Sequence, residues 1–129
     1  MSNMMIILVV MVGSLSMAVT PPETFEQALQ LAKANVSTPE GKTLDHNVAS
    51  WFGQRHAETM NRCTAGVDDS ELVSFDLLVK LGADGRVLKA AVRPETKVAT
   101  CVLRAVEHDV VSRPPRADYW VRIAMSLKP

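Results

Sequence analysis

Net charge is the first thing this chain of 129 residues lacks, because its 14 basic and 14 acidic side chains cancel. No surplus positive field therefore points to nucleic acid or to an anionic membrane. Signatures of catalysis and metal binding are missing too. His46, His56 and His108 are not paired at i+3 or i+4, and there is neither an H-E-x-x-H nor a cysteine–histidine cluster. A metal centre is not expected from such a set. Ser70, Ser74 and Ser112 lack the setting of a nucleophile elbow. The turn Gly82-Ala83-Asp84-Gly85 has no Lys-Ser/Thr pair and no helix start behind it, so it is not a phosphate loop. Asp68, Asp69 and Glu71 lack the alternating ligands of a calcium loop and read as a solvated turn. Cysteine is scarce: there are two, and they form no C-x-x-C, which argues against a redox role. With no constellation to run a reaction, the reading is of a protein that is not an enzyme, with no cofactor and no small-molecule substrate.

The cancelling charges are unevenly placed. Residues 19–76 hold 4 basic and 9 acidic side chains, net −5, and residues 77–129 hold 10 basic and 5 acidic, net +5. This reads as two solvated faces of opposite sign. A basic docking surface around Arg113, Arg116 and Arg122 is the sharper alternative.

One long apolar run is present, Met4 to Val12, followed by small residues at Ser16 and Ala18. It reads as a secretory signal over residues 1–18 with cleavage after Ala18, although no Lys or Arg precedes it. Met4 to Val19 is 16 residues, short of the roughly 20 that cross a bilayer. Pro21-Pro22 would also stop a helix there. Export to the periplasm is therefore expected, without a retained membrane anchor.

Room remains for one domain with a real core. Thr20-Pro21-Pro22-Glu23 reads as a capped helix start, followed by Phe25, Ala28, Leu29 and Ala32 on one face. Asn35 to Gly41 reads as a loop. A second helix is predicted over Leu44 to Cys63, with Val48, Trp51, Phe52 and Met60 as a core stripe and Gly53 as a weak point. Val73, Phe75, Leu77, Val79 and Leu81 then recur at period two, the mark of a strand with one apolar row. Asp84-Gly85 between two extended runs signals a hairpin. Val98, Cys101, Val102, Ala105 and Val106 place one face of a helix over the sheet. Arg113-Pro114-Pro115-Arg116 stops that helix. The last segment alternates again, with Tyr119, Val121, Ile123, Met125 and Leu127 opposite Trp120, Arg122, Ala124, Ser126 and Lys128.

The predicted class is α+β: N-terminal helices followed by a ββαβ unit. A right-handed crossover makes the third strand parallel to the second, and placing it beside the first gives spatial order 2-1-3. One face of this three-stranded sheet is covered by helix, and the last strand is an edge. Its unpaired backbone groups invite a partner strand.

The stretch VSFDLLVKLGADGRVLKAAVRPETKVATCVLRAVEHDVV, followed by Pro-Pro and a final strand, resembles the TonB C-terminal-like family. It is similar to the branch found in gliding-motility and related envelope proteins. The resemblance spans roughly residues 48–129 and rests on Cys63 before the first strand, the extended run Leu72–Leu81, the Asp84-Gly85 turn and Cys101 on the following helix. It implies a periplasmic ββαβ module that binds envelope proteins through its last strand. The division that follows is residues 1–18 signal, 19–43 N-terminal helix and linker, and 44–129 the domain.

An even cysteine count in an exported chain suggests one bond, Cys63 to Cys101, clipping two helices together, with two buried free thiols as the alternative. The binding residues expected are Tyr119, Trp120, Val121, Arg122 and Ile123. Main-chain hydrogen bonds would supply affinity, and the exposed side chains Trp120 and Arg122 selectivity. For Trp120 the competing reading is a second small core beneath the N-terminal helices. The same edge could pair with a second copy as a homodimer. A contrasting function suits the short length and the missing proline-rich spacer: an inhibitor or immunity-type protein that blocks a periplasmic enzyme or toxin.

Overall fold

The computed structural model describes Gly13 and residues 23–129. Apart from Gly13, the signal segment 1–18 lies outside this description, as does the helix start at Thr20-Pro21-Pro22. Helix α1 spans Phe25–Asn35 and is capped by Thr24, whose hydroxyl accepts from the Gln27 N–H while the Gln27 side chain accepts from the Thr24 N–H. That is a capping box, set four residues after the one predicted at Thr20.

The predicted loop from Asn35 to Gly41 is shorter than expected. Helix α2, Pro39–Arg55, begins with Thr38 as its cap and proline in its first turn, a position where a missing N–H costs nothing. A Cβ on Gly41 would run into the Asn35 carbonyl oxygen, so only glycine allows this corner. The predicted second helix is split at His56, after which α3 runs Ala57–Thr64.

Strand β1, Phe75–Leu81, and strand β2, Val87–Arg93, form the predicted hairpin. Its turn closes with the Gly85 N–H donating to the Gly82 oxygen at 2.9 Å, and Gly85 takes φ +86, which side chains resist. Helix α4, Lys97–Val106, is capped by Thr96, and strand β3 spans Tyr119–Met125. The sheet order is β2-β1-β3 with both pairings antiparallel, as expected.

Alternation divides the sheet. Leu77, Val79, Leu81, Tyr119 and Val121 join Val98, Val102 and Val106 of α4 in the main core, to which α2 adds Leu44, Val48 and Phe52. The Cys63–Cys101 disulfide ties α3 to α4 within this layer. On the opposite face Leu78 and Trp120 lie under Ala28, Leu29 and Ala32 of α1. This second small core is the alternative weighed for Trp120. Among the described residues no helix is long and apolar enough to cross a membrane.

Candidate functional site: the outer edge of the last strand

Asn35, the last residue of α1, is 8 % exposed and its Nδ2 donates to the Trp120 carbonyl at 2.9 Å. In an antiparallel ladder a residue's N–H and C=O point to the same side, and neighbours alternate. The backbones of Trp120, Arg122 and Ala124 therefore face away from β1, and those of Tyr119, Val121, Ile123 and Met125 face it. At the first of the outward positions the carbonyl is held by Asn35. Arg122 and Ala124 have no backbone or side-chain partner for their main-chain groups among the described residues. They line a groove of about 330 Å³ whose other walls include Ala32, Val36, Val48 and Ala49, with Lys33 and Asp45 beside them.

The seal is built as a hub. Arg116 donates to Asn35 Oδ1 at 2.6 Å, and the Tyr119 hydroxyl donates to the Asn35 carbonyl at 3.2 Å. The Arg116 guanidinium lies 4.9 Å from the centre of the Tyr119 ring. Desolvation in this packing raises the Tyr119 hydroxyl above its ordinary value, partly offset by Arg116.

The five expected binding residues divide sharply. The side chains of Tyr119, Trp120 and Val121 are buried, which corrects the expectation that Trp120 offers an exposed ring to a partner. Its indole N–H donates instead to Glu23 Oε2 at 2.9 Å, and Lys80 Nζ stands 3.2 Å from both oxygens of the same carboxylate. Partial burial pushes the Glu23 carboxyl up, yet the bonds from Lys80 and Trp120 outweigh it and hold the group below the ordinary range. Ile123 is half-buried against the main core. Arg122 is half-buried, and its Nε donates to Asp76 Oδ1 at 2.8 Å. Of the five, Arg122 alone combines an outward, unpaired backbone with a partly exposed side chain.

Two of the three arginines of the candidate basic surface are spoken for within the chain, since Arg116 holds Asn35 and Arg122 holds Asp76. Arg113 is exposed and lines a groove together with Pro114, Pro115 and Glu40.

One cluster escaped sequence reasoning. His56 is 5 % exposed, with Nε2 2.7 Å from Asp109 Oδ2 and Nδ1 2.9 Å from Thr59 Oγ1. The rings of Trp51 and Phe52 flank it at 5.0 and 5.4 Å. Asp109 is thus the partner of His56, while its neighbour His108 is exposed. The pair is 53 residues apart, so no spacing rule finds it; it pins the α2–α3 elbow to the segment after α4. Among the described residues no group of three or more His, Cys, Asp or Glu is arranged to hold a metal ion.

Comparison with family models, with curated proteins and with solved structures finds no match to this chain.

Proposed function

We propose that this protein is a small exported interaction module, resembling a TonB C-terminal domain, that receives an extended segment of an envelope protein on the C-terminal half of β3. The observation carrying this reading is the unpaired, outward backbone of Arg122 and Ala124 beside the groove between α1 and α2. Strand addition satisfies such groups directly. The Cys63–Cys101 bond fits an oxidising compartment, and the apolar run Met4–Val12 fits export to the periplasm.

Two outward residues offer four hydrogen-bonding groups, worth about 4 kcal/mol at about 1 kcal/mol each. That barely offsets the cost of association, so the groove must add to it. Its apolar walls suit one aliphatic side chain of the partner. Lys33, Asp45 and Arg122 at its border set which charges are accepted.

Photo-crosslinking in the exported protein tests this, with the reactive residue at Ala124 and a control at Glu58 on α3. Crosslinks to one envelope component from Ala124 but not from Glu58, lost in Arg122→Pro, support the reading. Proline at Arg122 removes an outward N–H and leaves the β1 ladder its donors. Capture of one soluble hydrolase or toxin replaces it with the inhibitor reading. No crosslink from Ala124 refutes both.

A further inference from the structure

The other edge of the sheet has the same design, covered at one end and open beyond it. After α4 the chain returns along β2. The Val87 N–H donates to the Asp109 oxygen at 2.9 Å, the Val111 N–H donates to the Gly85 oxygen at 2.8 Å, and Arg86 bridges Val110 in antiparallel fashion. This strap covers only the start of β2. Register then shifts: Lys80 of β1 faces Lys89 and Leu81 faces Val87, so Leu88 has no partner on β1.

Beyond that point the alternation argument applies again. Phe75, Leu77 and Val79 direct their backbone groups to β3, so Asp76, Leu78 and Lys80 direct theirs to Arg93, Ala91 and Lys89. Ala90 and Val92 consequently face outward, and among the described residues their main-chain groups have no partner outside the strand pairing. They open on a groove of about 550 Å³, walled by Phe25 of α1 on one side and by Thr100 and Leu103 of α4 on the other.

Charge selects the occupant. Lys89 and Arg93 are exposed on the same face of β2, on either side of Ala91. Pairing with a second copy about Ala91 would set Lys89 opposite the other copy's Arg93, twice over. Like charges directly opposite each other destabilise a ladder, whereas opposite charges stabilise it. Lys89 forms no ion pair among the described residues, while Arg93 already meets Glu26 at 3.2 Å in an exposed contact. We infer that the open half of β2 is a second strand-accepting site, taking an extended protein segment with acidic residues four apart and apolar residues just inside them. The acidic residues oppose Lys89 and Arg93, and the apolar ones oppose Ala90 and Val92 and lie toward Leu103. Glu95, at the end of the groove, disfavours acid beyond Arg93 and so bounds the motif.

This site is independent of the β3 reading, and one titration separates them. The probe is a blocked Glu-Val-Thr-Val-Glu peptide added to the isotope-labelled, oxidised protein, with amide shifts and hydrogen exchange followed by NMR. Expected are shifts and slowed exchange at Ala90 and Val92. A Lys-Val-Thr-Val-Lys peptide should bind about ten-fold more weakly, from two cross-strand charge pairs, and N-methylation of both valines should abolish binding. Lys89→Glu, an exposed change that leaves the fold alone, should narrow or reverse the preference. Ala90→Pro should remove binding while Arg122 and Ala124 keep their free-state shifts. Changes confined to Arg122 and Ala124 overturn the β2 site and leave the β3 reading standing. Equal binding of the acidic and basic peptides, or no change at Ala90 and Val92, overturns it as well.

Discussion

Replacing Asn35 with leucine removes the seal on β3 while keeping a side chain of similar size. In the native protein Asn35 donates to the Trp120 carbonyl at 2.9 Å and accepts from Arg116 at 2.6 Å. Trp120 is 4 % exposed, so its carbonyl gains little water when Asn35 is gone. An unsatisfied buried group costs about 1–3 kcal/mol. The Arg116 bond adds less than its charge suggests, because that side chain can return to solvent. The sum is about 2–4 kcal/mol, equivalent to a fall in Tm of roughly 10–20 °C for a domain of this size. Urea unfolding followed by tryptophan fluorescence measures it. Hydrogen exchange should also quicken across the α1–α2 corner. Asn35→Asp keeps the acceptor for Arg116 but sets a carboxylate against the Trp120 carbonyl, and should lose nearly as much. If Asn35→Leu costs less than about 0.5 kcal/mol, within the range of ordinary surface changes, the hub is not what anchors α1 to β3.

Three further outcomes follow from the same geometry. Cutting the Cys63–Cys101 bond, 38 residues apart, should destabilise by about 4 kcal/mol in the chain-entropy model, seen as a lower urea midpoint under reductant that Cys63→Ser/Cys101→Ser reproduces. Gly41→Ala drives a methyl group into the Asn35 carbonyl and should cost about 1–3 kcal/mol by overpacking, whereas Gly53→Ala, with open space around it, should be neutral or stabilising by calorimetry. For acid unfolding, Glu23 is held below its ordinary value of 4.5. A carboxyl depressed in the folded state contributes stability above its unfolded pKa and loses it as pH falls through the folded value. Glu23→Gln, whose amide oxygen can still accept the Trp120 indole N–H, should therefore flatten the loss of stability below pH 4.5, measured by Tm against pH.

Much of the fold was legible because the relevant signals are local. Period-two alternation in β1 and β3, the Asp84-Gly85 turn and the apolar face of α4 each lie within one short window; the crossover rule gives the third strand its direction, and placing it beside the first gives the 2-1-3 order. Helix boundaries were less legible where two local patterns compete. Thr20–Glu23 and Thr24–Gln27 satisfy the same capping rule, and it is Thr24 that caps α1. Pro39 can end one helix or begin the next, and the close approach of Gly41 to Asn35 makes it a beginning. Leu78 was a missed clue. It interrupts the polar row of β1, and together with Trp120 marks a sheet buried on both faces.

By itself the sequence determined the class, the order of the elements, the strand that becomes the sheet's centre and the cysteines available to pair. Those follow from periodicity and chain connectivity, which act over a few residues. Only the tertiary structure decided that Trp120 is a buried anchor for Glu23, that His56 meets Asp109, and that each outer strand is covered at one end and open beyond it. Asn35 and Trp120 are separated by 85 residues, and the strap at Asp109–Val111 reaches β2 only after α4 has crossed the sheet. Which backbone groups stay unpaired is set by how distant segments pack, and that is a property of the folded chain.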